Sequence, residues 1–330
     1  MTNAAADLAA TRQQQPWVIH ATRDAIRHFA WGIGDNNPLW LDPDHAAGSR
    51  WGGLIAPPCL LYAVDETTVA PGHAGHRRIY QSVAWTFYDV IRRDAALDAS
   101  ATLIGEDITE DGPVQTGRIN YATDGTPVAT AITTCLRSTQ PTTDFADLPE
   151  LRYSGEELEA IERAILSEQR RGATPRLWED TKPGDTLGPL VKGPLSIMDI
   201  VAWCAGTSGM VDDDAGFSEG GLHDQMATGP EQVSWAGQML TDWMGDDAFL
   251  HRLEAKLLQP APLGTTTTIT GAVTDCDPVD GKPAVRIDWQ ATNQGNALAM
   301  TGEAVILLPS RQHGPVQLPV STELEETSHD

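Results

Sequence analysis

The chain has 330 residues, of which 41% are hydrophobic and 21% charged, with a formal net charge of -24. That size allows two domains or one large duplicated unit, and the charge argues against nucleic acid or an anionic membrane as partner, since both need a basic face. No run of about 18 apolar residues is present to span a bilayer.

The opening stretch MTNAAADLAATRQQQ lacks the basic start and apolar block of a secretory signal, so it reads as a frayed or late-docking N-terminus. The first predicted helix follows in TRDAIRHFAWGIGD: Ile26, Phe29, Ala30 and Ile33 recur at helical spacing, with Thr22 as N-cap. A Gly-Asp-Asn-Asn-Pro turn, a second acidic turn and the pair Gly52-Gly53 then lead into Pro-Pro and a second helix expected over 58–68. In this stretch the ring of Trp40 reads as exposed. His45 either faces a pocket or caps the next turn. Asp65 and Glu66 on the second helix read as solvated charges, with a thioesterase-type carboxylate as the sharper alternative.

Strands follow over 101–138, with alternation placing Val128, Thr130, Ile132, Thr134 and Leu136 on one face and a glycine turn at Gly125. A linking helix has a capping box at Ser154 and Glu157, a stop at Gly172 and then Pro175. In SIMDIVAWCAGT, Ile197, Ile200, Val201 and Cys204 share a face, with Ser196 and Asp199 as a further capping box. A glycine-rich loop holding His223 and Asp224 leads to a helix over 231–244, with Ala236, Met239, Leu240 and Trp243 on one face. Strands return over 266–310, where Val285, Ile287, Trp289 and Ala291 alternate inward and Gly295 marks a turn needing positive φ. The acidic end, STELEETSHD, reads as mobile. The widely spaced Cys59, Cys135, Cys204 and Cys276 form no CxxC or Cys/His cluster, so buried free thiols in a cytoplasmic protein are expected and a metal site is not.

The order helix, loop, helix, strands thus occurs twice, offset by about 165–170 residues, which is too long for a solenoid repeat. An α+β double hot-dog is expected: two helices each wrapped by an antiparallel sheet, joined edge to edge within one chain. The boundaries read 1–148, a linker at 149–176, and 177–330.

GDNNPLWLDPDHA resembles the G-D-x-N-P-x-H-x-D-x5-A signature of the MaoC-like, or R-specific, enoyl-CoA hydratases and dehydratases. More widely, FAWGIGDNNPLWLDPDHAAGSRWGGLIAPPCLLYA and VSWAGQMLTDWMGDDAFLHRL are similar to the two halves of the double hot-dog acyl dehydratases with a FAS1-like dehydratase domain. The resemblance implies hydro-lyase chemistry on an acyl thioester. It places the catalytic aspartate at Asp35, turn residues at Asn37 and Pro38, and the motif's tail at Asp42 and Ala46. It also places an oxyanion donor near Gly52 and Gly53. Trp40 falls on the catalytic histidine position. An indole N–H donates a hydrogen bond but cannot cycle a proton near pH 7. The second half has no matching motif. His223 is its nearest candidate, although adjacent His and Asp residues rarely point at one reacting atom.

Tyr62 and Trp31 are further candidates for substrate contacts. No cofactor is expected beyond coenzyme A as part of the substrate. Arg77/Arg78, Arg92/Arg93 and Arg170/Arg171 are the candidate contacts for its phosphates, set against the chain's negative field. Three readings follow: an acyl-thioester hydratase or dehydratase, a member recruited to cyclise or isomerise a free natural-product intermediate, or a non-catalytic partner of another hydratase subunit. A monomer or a homodimer suits all three.

Overall fold

The structure is a computed structural model and describes residues 11–13, 18–64, 77–138, 152–207 and 226–320. A short strand β1 (Thr11–Gln13) precedes helix α1 (Arg23–Gly32). Thr22 caps α1 by accepting the Ala25 amide at 3.1 Å, and Ile26, Phe29, Ala30 and Ile33 are all buried. Two short helices, α2 (Pro38–Leu41) and α3 (Pro43–Gly48), and a 3-10 turn (Pro58–Ala63) follow. Strands β2 (Arg77–Phe87), β3 (Leu97–Thr109), β4 (Gly112–Thr123) and β5 (Thr126–Ser138) complete the first half. Helix α4 (Gly155–Leu166) connects to β6 (Thr186–Lys192), α5 (Ile197–Thr207), β7 (Met226–Ala227) and α6 (Gly229–Met244). Strands β8 (Phe249–Leu257), β9 (Ala261–Pro262), β10 (Thr267–Asp275), β11 (Ala284–Asn293) and β12 (Leu298–Leu307) close the chain.

One ten-stranded antiparallel sheet runs β1-β3-β4-β5-β2-β8-β12-β11-β10-β6. Read outward from its centre, β2-β5-β4-β3-β1 and β8-β12-β11-β10-β6 are the same arrangement made twice, and strands β2 and β8 join the copies. Residues Ser82 to Thr86 pair with Lys256 to Arg252 across that junction. A central edge in each half is thereby covered by the other half. This is the double hot-dog expected from the repeated pattern. Helix α6 is buried along its length from Pro230 to Met244, as a helix wrapped by a sheet must be.

Three expectations are corrected. Between 58 and 64 the described chain is a single 3-10 turn opened by Pro57 and Pro58, not an α-helix, and 65–68 lies outside the described residues. On β5 the alternation holds as read, and the wholly buried face is the opposite one, Ala129, Ala131, Thr133 and Cys135, with Ile132 turned outward. The positive φ in the last hairpin falls on Asn296 (58°), because the Asn293 carboxamide accepts the amides of Gly295 and Ala297 and shapes the turn itself. The earlier hairpin uses Asp124 and Gly125 (φ 50° and 78°), as expected of a two-residue turn with both central residues left-handed.

The third lies in α5. Its expected stripe leaves Val201 exposed, while Trp203, Gly206 and Thr207 are buried. Helices α1 and α5 cross backbone to backbone. A Cβ on Gly206 would stand 2.6 Å from the His28 carbonyl oxygen, and one on Gly32 would stand 2.9 Å from that of Ala202. A period counted on large apolar residues does not register such a contact. Gly206→Ala should therefore lower stability. The added methyl meets rigid backbone, an overpacking cost of about 1–3 kcal/mol, which outweighs the gain of about 1 kcal/mol in helix propensity. Chemical denaturation measures the balance, and a stabilised variant would contradict the close crossing.

Candidate active site

The site begins where α1 ends. Gly34 is left-handed (φ 68°), and the Asp35 amide returns to the Ala30 carbonyl at 2.7 Å, so the chain reverses and Asp35 turns inward. A ladder of caps follows. The Asp35 carboxylate accepts the Asn37 amide at 2.9 Å through Oδ1, and Asn37 Oδ1 accepts the Leu39 amide at 3.0 Å as the N-cap of α2. Asp42 then caps α3 by accepting the Asp44 and His45 amides. Pro38 and Pro43 sit at the helix starts, where their missing N–H costs nothing.

Trp40 is only 2% exposed, which corrects its reading as an exposed ring. Its side chain is drawn inward because Nε1 donates to Asp35 Oδ2 at 3.0 Å. Asp35 is itself wholly buried, and burial pushes its carboxyl up to about 6 against the lowering effects of the Asn37 amide, Lys192, Arg170 and Trp40.

Around Asp35 the fold gathers groups from three further segments. From β6, Lys192 Nζ donates to the Ile33 carbonyl at 2.7 Å and to Gln238 Oε1 at 2.6 Å. It thus supplies a cation at the carbonyl end of α1, and burial holds its pKa below the usual lysine value. From α6, Gln238 also bridges Gly34 O and Glu168, and Asp242 stands one turn further on. From the segment after α4, Arg170 pairs with Glu168 and places Nε 3.2 Å from Asp242 Oδ1. The Asp242 side chain is 5% exposed, and its carboxyl is pushed up to about 8 by burial and then by the charges of Asp35 and Glu168.

The other candidate positions fall elsewhere. Trp31 is half exposed beneath the Arg27 guanidinium, 4.9 Å from its ring centre, and so lies on the surface rather than at the site. Tyr62 is wholly buried; its hydroxyl accepts Trp85 Nε1 at 3.0 Å and meets the Tyr80 hydroxyl at 3.2 Å, so its polar end is spent in the core. The Gly52 amide bonds the Ser49 carbonyl at 3.1 Å, leaving the half-exposed Gly53 as the nearer of the pair to an amide donor. His45 neither caps nor faces the site: its Nε2 stands 2.7 Å from Asp246 across the seam between halves. His223, Asp224, Asp65 and Glu66 lie outside the described residues, as do the side chains of Arg77 and Arg78.

Among the described residues, a cavity of about 30 Å³ lies at the seam, lined by Leu39, Trp40, Trp51, Phe87, Met244 and Phe249 among others. It is apolar, and Trp40 stands on its wall while Asp35 does not. Sequence reasoning missed Lys192, Glu168, Gln238 and Asp242. The available signal was the polar pair Gln238 and Asp242, four residues apart on a helix buried along its whole length.

Residues 9–110 match the family described as FAS1-like, dehydratase domain region. In structure the chain is similar to a MaoC-like dehydratase, with a TM-score of 0.68 at 17% identity over 92% of this chain and 99% of that one. It is also similar to a conserved hypothetical protein of Mycobacterium tuberculosis with a double hot-dog fold, with a TM-score of 0.58 at 11% identity over 91% and 96% of the two chains. A UPF0336 protein of Streptomyces avermitilis is 40% identical over 42 residues, a match spanning 13% of this chain and 28% of that relative. The chain has a double hot-dog fold, which it shares with a MaoC-like dehydratase, and its first third matches the FAS1-like dehydratase region.

Asp35 gives a pH-dependent prediction. Its folded pKa stands above the unfolded value, so the stability it contributes is present below about pH 4 and is lost as pH rises through about 6. Trp40→Phe keeps a ring but removes the donor that favours the ionised carboxylate. The variant should raise the Asp35 pKa further, and it should lose about 2 kcal/mol more stability at pH 8 than at pH 5. Denaturation at the two pH values tests this; equal losses would refute it.

Proposed function

We propose that the protein is a MaoC-type hydro-lyase that interconverts the 3-hydroxyacyl and enoyl forms of an acyl thioester, with Asp35 as its acid–base residue. What carries this reading is a buried carboxyl at the motif's aspartate position, raised to about 6 and so able both to take and to give a proton near neutral pH. In the dehydration direction the Asp35 carboxylate takes the C2 proton, and the thioester oxygen gathers the negative charge. The electron pair forms the C2–C3 double bond as hydroxide leaves C3, and Asp35 returns the proton to it as water. Protons and electrons balance with one residue. The Gly53 amide is the candidate donor to the thioester oxygen. Because Trp40 covers one Asp35 oxygen, substrate entry displaces the indole.

A second reading, action on a free intermediate, is favoured by the arginines. Arg92 donates to the Trp51 carbonyl, Arg93 pairs with Asp94, Arg170 with Glu168 and Asp242, and Arg171 with the Thr174 and Pro175 carbonyls. These pairs are engaged within the chain instead of forming a patch for coenzyme A phosphates.

Assay of the full chain with short enoyl-CoA thioesters and with the matching pantetheine thioesters tests the first reading: turnover of either supports it, and turnover of neither leaves action on a free intermediate. Asp35→Asn should lower kcat/KM by at least about 10²-fold while leaving the fold intact by circular dichroism. Undiminished turnover in that variant would remove Asp35 from the mechanism. Turnover only after addition of a second hydratase subunit would assign the chemistry to that subunit.

A further inference from the structure

The cluster around Asp35 holds three carboxyl groups, Asp35, Glu168 and Asp242, against two cations, Lys192 and Arg170. Burial of uncompensated charge is costly, so such a set favours neutrality, and neutrality here requires one bound proton. Asp242 is the place for it. Its side chain is 5% exposed and, among the described residues, neither carboxyl oxygen has a hydrogen-bond partner, although Arg170 Nε is 3.2 Å away. A buried carboxylate with no hydrogen bond is an expensive feature, and a carboxylic acid in the same place is less so. Asp35 has the opposite surroundings, since two N–H groups point at its oxygens and favour the ionised form.

We infer that Asp35 and Asp242 share a single proton at neutral pH, with Asp242 the holder, and that Asp242 thereby positions the charge on Asp35 for the acid–base work that Trp40, in the motif's histidine place, cannot do. The inference rests on Asp35 being the reacting group. It makes Asp242 a positioning residue acting through Asp35. With the proton on Asp242, the cluster is neutral and Asp35 is the free base. When Asp242 also ionises, the added negative charge opposes the enolate that develops on the substrate. A bell-shaped pH dependence follows, with limbs near the values of about 6 and about 8 at which the two groups stand.

Other titratable groups stand near the pair, among them Lys192, whose pKa burial holds below the usual lysine value. Cys59, which senses Asp35, has its thiol pushed up to about 12 by burial and stays neutral. Glu231, at the far end of α6, is raised to about 8 by burial and senses Lys192; it titrates in the upper range but is a glutamate.

The test uses the full chain labelled with ¹³C at aspartate carboxyls alone, which excludes Glu231, and follows it by NMR from pH 5 to 9.5. Two aspartates should titrate well above the ordinary carboxylate range, one near 6 and one near 8; Asp247, also raised by burial, is told apart because neither variant removes its step. Asp242→Asn should remove the upper step, and Asp35→Asn should remove the lower one and move the remaining midpoint downward, because the neighbouring negative charge is gone. In the assay, Asp242→Asn should abolish the alkaline limb. Wild-type aspartates that are all ionised by pH 5.5 overturn the inference without any variant, as does an upper step that survives Asp242→Asn. If the titration is as expected but no thioester is turned over, the shared proton stands and the hydro-lyase reading falls. If Asp35→Asn is inactive while Asp242→Asn keeps its alkaline limb, the reading stands and the inference falls.

Discussion

The antiparallel pairing of Ser82 to Thr86 with Lys256 to Arg252 is the constraint on which the rest depends. It turns two five-stranded units into one sheet and thereby fixes how the first half faces the second. Helix α1 lies across α5 at glycine distance, and the loop after α1 meets α6. The site draws on this arrangement completely. Asp35 and Trp40 come from the first half, Lys192, Gln238 and Asp242 from the second, and Glu168 and Arg170 from the segment after α4. No single segment could assemble it.

The seam is reinforced on its other side. His45 meets Asp246, Trp51 Nε1 donates to the Asp246 carbonyl at 2.8 Å, and Arg50 reaches the carbonyls of Asp247 and Val316. The stretch that begins at Gly34 is thus held at both ends, by Lys192 and Gln238 at the start and by these contacts at the close. Between them Trp40 has one place to go. The charged side chains are packed where water does not reach Asp35, and the loss of hydration is offset by opposite charges and by amide donors only in part. Folds retain such costs mainly where the groups have work to do.

Much of this was legible, and the reasons divide by range. The caps at Thr22 and Ser154 are local: a side chain bonds an amide three residues on, and sequence spacing carries that information in full, whereas Asn37 and Asp42 enter as motif positions and turn out to be caps as well. The doubled sheet also followed in outline, because the repeated pattern implied two like halves joined edge to edge, although the joining strands β2 and β8 were not among the expected strands. What was not legible was long-range. Ala-Trp occurs in both α1 and α5, yet Trp31 is exposed and Trp203 is buried against Phe29 with ring centres 5.7 Å apart. Nothing near either residue distinguishes them; the crossing at Gly32 and Gly206 does. Likewise Tyr62 looked like a pocket donor until the fold supplied Trp85 as its partner.

The exchange of histidine for tryptophan at position 40 has a physical consequence beyond loss of a base. An imidazole both donates and accepts, and titrates near 6.5 on its own. An indole only donates. Placed against a buried carboxylate, it lowers a pKa that desolvation raises, and the outcome of that opposition, with Asn37, Lys192 and Arg170 on the lowering side, is a carboxyl at about 6. That is close to the working range an imidazole would have provided. The proton-handling capacity missing from the histidine position is therefore recoverable from the aspartate, on one condition: the surroundings must stay dry enough to keep desolvation dominant, a task the large ring of Trp40, 2% exposed over Asp35 Oδ2, performs until substrate takes its place.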